Sequence, residues 1–163
     1  MGDEVWAAVL MGLLVQKFGG SSLADITHID ALAAHVIEAR REHQVVVVVS
    51  AMYGETNRLF AMAETITQGR CQSLDMAHNV DSLLASGEQV AAALFALALM
   101  KQGCPALALT GAQAGIMTDE RHQGASIKHI MPALLQQCVR QGQVPVVCGF
   151  QGLSVSRLTT TLG

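Results

Sequence analysis

Runs of apolar residues alternate along the chain with stretches in which apolar residues recur every three or four positions. Short runs rich in Val, Leu and Ala predict strands that are buried on both faces of a sheet. The predicted strands are Leu13–Phe18, Gln44–Met52, Pro105–Gly111 and Val144–Phe150. The second of them contains five consecutive valines, which are typical of a fully buried strand.

The amphipathic stretches between these strands predict helices. The predicted helices are Ile29–Arg41, Thr56–Ile66, Ser86–Met100 and Ser126–Gly142. Thr56 is expected to be the N-cap of the second helix, and Ser86 and Gln89 have the spacing of a capping box at the start of the third. In the fourth helix, Pro132 is expected near the first turns and Gly142 at the C-cap.

These elements follow the order β-α-β-α-α-β-α-β, with a loop or short helix over residues 68–79. Alternation with short connections favours an α/β fold, in which helices cover a parallel sheet. Ligands of such sheets bind at the carboxyl ends of the strands. Small or polar residues lie at the carboxyl ends of the predicted strands, at Gly19–Ser22, Ser50, Thr110–Gly111 and Gly149. We therefore expect the functional site at this edge of the sheet.

Composition narrows the class of protein. The chain has 163 residues, enough for one domain with a sizeable core, and its net charge of −3 without a basic block disfavours nucleic acid as a partner. The scattered cysteines form no CxxC pair, which favours a reduced, cytoplasmic protein without a zinc site. The apolar run Val5–Val15 is too short to span a membrane, and acidic Asp3 and Glu4 precede it, unlike in a signal peptide. Residues 1–12 are interpreted as an N-terminal extension.

Lys17 is one of only three lysines in the chain, and it stands just before Gly19 and Gly20. Glycine lets the backbone approach a ligand closely, its N–H groups can face an anion, and the lysine adds a positive charge. This combination suits a phosphate group, although it also fits a solvated lysine before an ordinary turn. The pattern is neither GxxxxGK[ST] nor GxGxxG, which disfavours P-loop NTPases and nicotinamide-binding folds.

Ser50, Thr56 and Glu88 each have two interpretations. The two hydroxyl groups can hold a small polar ligand, or they can end a strand and cap a helix. Glu88 is expected in the first turn of its helix, where an acid complements the helix dipole; a functional role requires a cationic group on the ligand, such as an amine. The six histidines form no HExxH motif, and the chain has no GxSxG motif.

Five stretches, in this order, resemble the aspartate kinases: VQKFGGSSL, VVVVVSAMYGETNRL, LLASGEQVAAALFALALM, LTGAQAGIMTDERHQGASI and VPVVCGFQG…TTTLG. The resemblance covers residues 13–163. It implies the amino-acid kinase fold, a three-layer α/β/α sandwich around a mainly parallel sheet. It also implies phosphoryl transfer from Mg²⁺-bound ATP to the β-carboxylate of L-aspartate, which gives 4-phospho-L-aspartate for lysine, threonine and methionine biosynthesis.

The resemblance also implies roles for individual residues. Those expected at the phosphates of ATP are Lys17, Phe18, Gly19 and Gly20. Those expected at the aspartate are Ser50, Thr56, Glu88 and Phe150, with Glu88 paired to the substrate ammonium group. No residue is assigned to a metal. The acceptor carboxylate has a pKa of about 4 and is ionised at neutral pH, so no general base is needed. Lys17 is then the catalytic residue, placed to reduce repulsion between the carboxylate and the γ-phosphate.

The chain departs from the family pattern at its end. It stops at TTTLG, where the family continues with Arg-Gly-Gly-Ser-Asp, whose arginine would clamp the substrate α-carboxylate. Ser126 also stands where the family often has arginine. We therefore expect residues 13–163 to be the amino-acid-binding half of a kinase domain, without the nucleotide-binding half and regulatory domains. This half is expected to be an inactive fragment of an enzyme that is a homodimer at full length.

Two alternatives remain open at this stage. One is a non-catalytic pseudo-kinase module that binds an amino acid or assembles with another subunit. The other is a kinase with a different acceptor, such as glutamate, acetylglutamate, carbamate or a nucleotide. The combination of SGEQ with QKFGGSS favours aspartate over these acceptors.

Overall fold

A computed structural model describes residues 12–70 and 74–163 of the chain. The strands in these residues are β1 (Gly12–Phe18), β2 (His43–Val49), β3 (Ala106–Leu109), β4 (Ile116–Thr118), β5 (Ile127–Ile130), β6 (Val144–Cys148), β7 (Gln151–Leu153) and β8 (Thr159–Thr161). The helices are α1 (Ile26–Ala39), α2 (Glu55–Thr67), α3 (Leu74–Lys101) and α4 (Ala133–Arg140), with a short 3-10 helix at Gly20–Leu23. All of the expected N-terminal extension except Gly12 lies outside the described residues.

The main sheet has the strand order β1-β2-β6-β3, and every pair in it is parallel. The valines of β2 point alternately to its two faces. Val45, Val47 and Val49 pack into the core with α1 and α3, whereas Val46 and Val48 pack on the opposite side with residues of α4. The α/β fold predicted from the apolar runs is therefore confirmed, with helices on both sides of the sheet.

A second, smaller sheet was not predicted. Its strand order is β5-β4-β7-β8, and it combines antiparallel pairs with one parallel pair. Its strands have three or four residues, too few to show a periodic pattern. The predicted helix over Ser126–Gly142 is wrong in its first part, because β5 occupies residues 127–130 and α4 begins only after Pro132. A proline disfavours helical backbone at the residue before it, which explains the late start.

The long helix α3 begins earlier than predicted. It starts at Leu74, so the loop or short helix expected over residues 68–79 is wrong from that point onward. Ser86 lies in mid-helix and donates a hydrogen bond to the carbonyl oxygen of Leu83 at 2.6 Å, and the capping box predicted at Ser86 is absent. The stretch Met76–Lys101 is long and apolar enough to span a membrane by length and composition alone, but half of its apolar 18-residue window is buried within the fold.

The starts of the other helices also differ from the predictions. Gly54, with a φ of +78°, is the N-cap of α2, so the cap predicted at Thr56 is wrong and Thr56 lies in the first turn. Helix α1 begins at Ile26 because the side chain of Asp25 accepts a hydrogen bond from the N–H of His28. Gly142 has a φ of +73° just after the last turn of α4, as expected for a glycine that ends a helix.

Candidate functional site at the carboxyl edge of the main sheet

The ends of three neighbouring strands are tied together by backbone hydrogen bonds. The N–H of Ser50, directly after β2, donates to the carbonyl oxygen of Phe18 at the end of β1, at 3.1 Å. The N–H of Gly149, directly after β6, donates to the carbonyl oxygen of Val49 at 2.9 Å. The segments that follow β1, β2 and β6 therefore lie side by side at one edge, as parallel strands require.

The turn after β1 is tight because of Gly20. It continues into the 3-10 helix, in which the N–H groups of Ser22 and Leu23 donate to the carbonyl oxygen of Gly19 at 3.0 and 3.2 Å. A Cβ atom at Gly20 would lie only 3.1 Å from the carbonyl oxygen of Ala51. A Cβ at Gly19 would meet no described atom within 4 Å. Packing therefore favours glycine at position 20, but it does not explain the glycine at position 19.

Lys17 is exposed near the end of β1, on the same side of the strand as Leu13 and Val15. It pairs in register with Val48 of β2, which packs on the α4 side of the sheet. The ammonium group is close enough to the carboxyl group of Glu88 for its charge to lower the pKa of that group. Phe18, the next residue, stacks its ring on Phe95 with centroids 5.4 Å apart, so its side chain belongs to the core.

Glu88 is a buried carboxylate in the middle of α3, with only 1% of its surface exposed. Its two oxygens accept from the N–H of Phe150 at 3.0 and 2.9 Å, and the side-chain amide of Gln151 lies 3.4 Å from one of them. Burial raises the pKa of the carboxyl group to about 7, while these two donors and the charge of Lys17 act in the opposite direction. The expectation that Glu88 lies in the first turn of a helix is wrong, so the helix dipole does not account for it.

Three further predicted residues lie in the segments at the carboxyl edge of the main sheet. Ser50 is half-buried directly after β2, Thr56 is half-buried in the first turn of α2, and Phe150 is half-buried two residues after β6. The N–H of Phe150 fixes the orientation of Glu88, which links the loop after β6 to α3. The structure thus brings residues of β1, β2, β6, α2 and α3 to the same end of the sheet.

Sequence reasoning missed two residues near Glu88. Gln151 is buried and donates from its side-chain amide to the carbonyl oxygen of Ala85 at 3.0 Å, in the turn of α3 that precedes Glu88. Its only sequence signal was a polar residue directly after a predicted strand. Burial, together with the Glu88 carboxylate, raises the pKa of the Cys148 thiol to about 12, so this thiol stays protonated at neutral pH.

Comparisons with known proteins bear on this arrangement. The model of the amino acid kinase family matches residues 12–162. The aspartokinase of Geobacillus stearothermophilus is 42% identical over 154 residues, which are 94% of this chain and 37% of that protein. Aspartokinase 2 of Bacillus subtilis is 41% identical over 154 residues, again 94% of this chain and 36% of its own length.

Solved structures have the same fold. The aspartate kinase of Synechocystis superposes with a TM-score of 0.70 at 35% identity, over 93% of this chain and 24% of that one. E. coli aspartokinase III in complex with aspartate and ADP gives a TM-score of 0.76 at 21% identity, over 93% of this chain and 43% of that one. The chain thus spans little more than a third of the length of the curated relatives it matches. From the family match over almost its whole length, the chain belongs to the amino acid kinase family.

Proposed function

We propose that residues 13–163 form the amino-acid-binding part of an aspartate kinase. In this reaction, an oxygen of the L-aspartate β-carboxylate attacks the γ-phosphorus of ATP, the bond from phosphorus to the bridging oxygen breaks, and ADP leaves. The product is 4-phospho-L-aspartate, an activated acid for lysine, threonine and methionine biosynthesis. A cytoplasmic location and a homodimer belong to this proposal and rest on the family resemblance.

The observation that carries the proposal is the buried carboxylate of Glu88 at the end of the sheet that also carries the exposed Lys17, whose charge lowers the pKa of Glu88. Glu88 has a raised pKa because its charge is cut off from water, and the hydrogen bond from Phe150 fixes its direction. A ligand ammonium group would neutralise this charge and restore an ordinary pKa. We therefore infer that the α-ammonium group of an amino acid is the partner of Glu88.

The phosphoryl group that is transferred needs positive charge around it. In the proposed complex, Lys17 and the N–H groups of Gly19 and Gly20 bind the transferring phosphoryl group, while Ser50 and Thr56 donate hydrogen bonds to the amino acid. The acceptor carboxylate has an ordinary pKa of about 4 and attacks as an anion without a base. Catalysis then depends on positioning and on positive charge between two anions, which is the role of Lys17.

Mg²⁺ enters this proposal with ATP. The described residues contain no group of three or more His, Cys, Asp and Glu side chains that could hold a metal ion. Magnesium in such reactions takes most of its oxygen ligands from phosphates and water. We therefore assign no metal ligand to the described residues. Binding of aspartate and ADP by E. coli aspartokinase III is consistent with the two proposed ligands.

A non-catalytic module that binds an amino acid is the second candidate. It is favoured by charge, because Lys17 is the one cation that we place at this edge within the described residues, whereas Arg58 of α2 is paired with Glu55 at 2.7 Å. Phosphoryl transfer usually requires more positive charge than one lysine supplies. A hydroxylamine trap for aspartyl phosphate separates the candidates, since only a kinase forms the hydroxamate from L-aspartate and ATP.

Calorimetric titration of L-aspartate tests the proposal on the amino-acid side. The wild-type polypeptide should bind L-aspartate, and Glu88→Gln should weaken binding by at least roughly tenfold, since it loses a charge-assisted hydrogen bond. Glu64→Gln, which changes an exposed glutamate of α2, is the matched control and should bind like the wild type. Equal affinity of the wild type and Glu88→Gln would refute the assignment of Glu88.

A further inference from the structure

Tyr53 is the one tyrosine of the chain, and 74% of its surface is exposed. The four phenylalanines are all buried or half-buried. An aromatic side chain exposed to this extent buries little apolar surface, so packing in the core does not account for it. Tyr53 stands in the loop between Ser50 and Thr56, at the same end of the sheet as Lys17.

Backbone hydrogen bonds hold the turn that carries Tyr53. The N–H of Tyr53 donates to the carbonyl oxygen of Leu23 at 3.4 Å, and the N–H of Glu55 donates to the carbonyl oxygen of Met52 at 3.0 Å. Gly54, with φ +78° and ψ −11°, gives residues 52–55 the geometry of a type II turn with Tyr53 at its second position. The side chain of Tyr53 therefore extends into solvent from a hydrogen-bonded turn.

The backbone of Tyr53 lies close to Gly20 in the turn after β1. A Cβ atom at Gly20 would lie 3.8 Å from the Cα of Tyr53 and 3.9 Å from its backbone nitrogen. The Cα of Tyr53 therefore lies beside Gly20, and the phenol hydroxyl is a hydrogen-bond donor at the end of a rigid side chain. Lys17 lies on the strand that leads into the same turn.

We propose that Tyr53 is an additional ligand-contacting residue, whose phenol O–H donates a hydrogen bond to a phosphate oxygen of the polyphosphate bound at Lys17, Gly19 and Gly20. This inference rests on the proposed function, because it uses the same phosphate site. A neutral donor to an anionic oxygen is stronger than a donor to a neutral acceptor. A tyrosine also loses little conformational entropy when it binds, because its ring is rigid. The residue thus adds a donor to an edge with a single proposed cation.

The single tyrosine permits a direct test by ¹⁹F NMR. Biosynthetic incorporation of 3-fluorotyrosine places one fluorine label in the chain, at Tyr53. Inorganic tripolyphosphate is the probe, and its affinity is measured in parallel by calorimetry on the unlabelled polypeptide. The expected result is a saturable shift of the fluorine signal, with the same affinity that calorimetry gives.

Variants connect the signal to the hydrogen bond. Tyr53→Phe keeps the ring and removes the hydroxyl, and it should weaken tripolyphosphate binding by roughly tenfold. Thr65→Val, which removes an exposed hydroxyl near the far end of α2, is the control and should leave the affinity unchanged. Lys17→Ala should weaken tripolyphosphate binding by at least roughly tenfold, and the fluorine shift should then require a correspondingly higher tripolyphosphate concentration.

The outcomes distinguish this inference from the proposed function. If tripolyphosphate binds in a Lys17-dependent manner but Tyr53→Phe binds equally well, the inference is wrong and the phosphate site stands. If tripolyphosphate does not bind, or binds independently of Lys17, the phosphate site itself is wrong and the inference falls with it. A fluorine shift that depends on protein concentration instead of tripolyphosphate would overturn the inference in favour of a contact between copies of the chain.

Discussion

Replacing Glu88 by glutamine should change how the stability of the protein depends on pH. The pKa of this carboxyl group rises from 4.5 to about 7 on folding, mainly because the group is buried. Each pKa unit corresponds to about 1.4 kcal/mol, so the ionised form costs the folded state roughly 3 kcal/mol above neutral pH. This cost is absent below pH 4.5, where the carboxyl group is protonated in both states, and it grows as the pH rises to about 7.

Glu88→Gln removes the charge and keeps an oxygen that can accept from the N–H of Phe150. Stability should therefore fall for the wild type between pH 4.5 and pH 7, and the variant should lose less over the same interval. Above pH 7, the variant should be more stable than the wild type by roughly 1–3 kcal/mol, because it avoids the cost of a buried charge. The gain stays below the full cost of ionisation, since the second carboxylate oxygen also accepts a hydrogen bond and an amide NH₂ cannot.

Urea unfolding followed by circular dichroism at a series of pH values measures the free energy of unfolding of the wild type and of Glu88→Gln. Glu64→Gln controls for the loss of one exposed carboxylate and should follow the wild type. A variant that keeps the wild-type pH profile would refute the explanation by burial. A variant that is less stable above pH 7 would show that the hydrogen bonds to Glu88 outweigh its desolvation.

Three further predictions test other parts of the account. Lys17→Ala should weaken tripolyphosphate binding by at least roughly tenfold in calorimetry while leaving the urea midpoint unchanged, because the side chain is exposed; a shifted midpoint with unchanged binding would assign the lysine to folding. Gly20→Ala should lower the free energy of unfolding by about 1–3 kcal/mol, because its Cβ meets a carbonyl oxygen at 3.1 Å, whereas Gly19→Ala should be nearly neutral. Equal losses for the two variants in urea unfolding would contradict the packing argument. Asp81→Asn should destabilise the fold by about 2–3 kcal/mol, since this buried carboxylate accepts from the Thr161 hydroxyl at 2.6 Å and lies 2.7 Å from Nδ1 of His122. A free energy of unfolding equal to that of the wild type would contradict this prediction.

The main sheet could be predicted because each of its strands contains a local run of apolar residues. Strand β2 contains five consecutive valines, as burial on both faces requires, and β6 is apolar throughout. Strands β4, β7 and β8 have three residues each and are defined by pairing with distant segments. No local pattern can specify such pairing, so the second sheet was not predictable from periodicity.

The position of Glu88 shows why part of the site could not be predicted. Ser86 followed by Gln89 resembles a capping box locally, but residues before Ser86 continue the helix with buried Val80 and Leu84. Placing Glu88 at a helix start gave it an ordinary explanation, which its true position in mid-helix removes. It accepts a hydrogen bond from Phe150, which lies 62 residues further along the chain, and such a contact has no local sequence signature.

Amide NMR on the wild-type polypeptide tests the central claim most directly, namely that an amino-acid site and a phosphate site meet at the carboxyl edge of the main sheet. L-aspartate should shift the N–H signal of Phe150, which donates to Glu88, and D-aspartate or L-glutamate should do so more weakly. Tripolyphosphate should shift the N–H signals of Gly19 and Gly20. Shifts from both ligands at these amides are the predicted result, and shifts confined to other regions, or none at saturating ligand, would contradict the account.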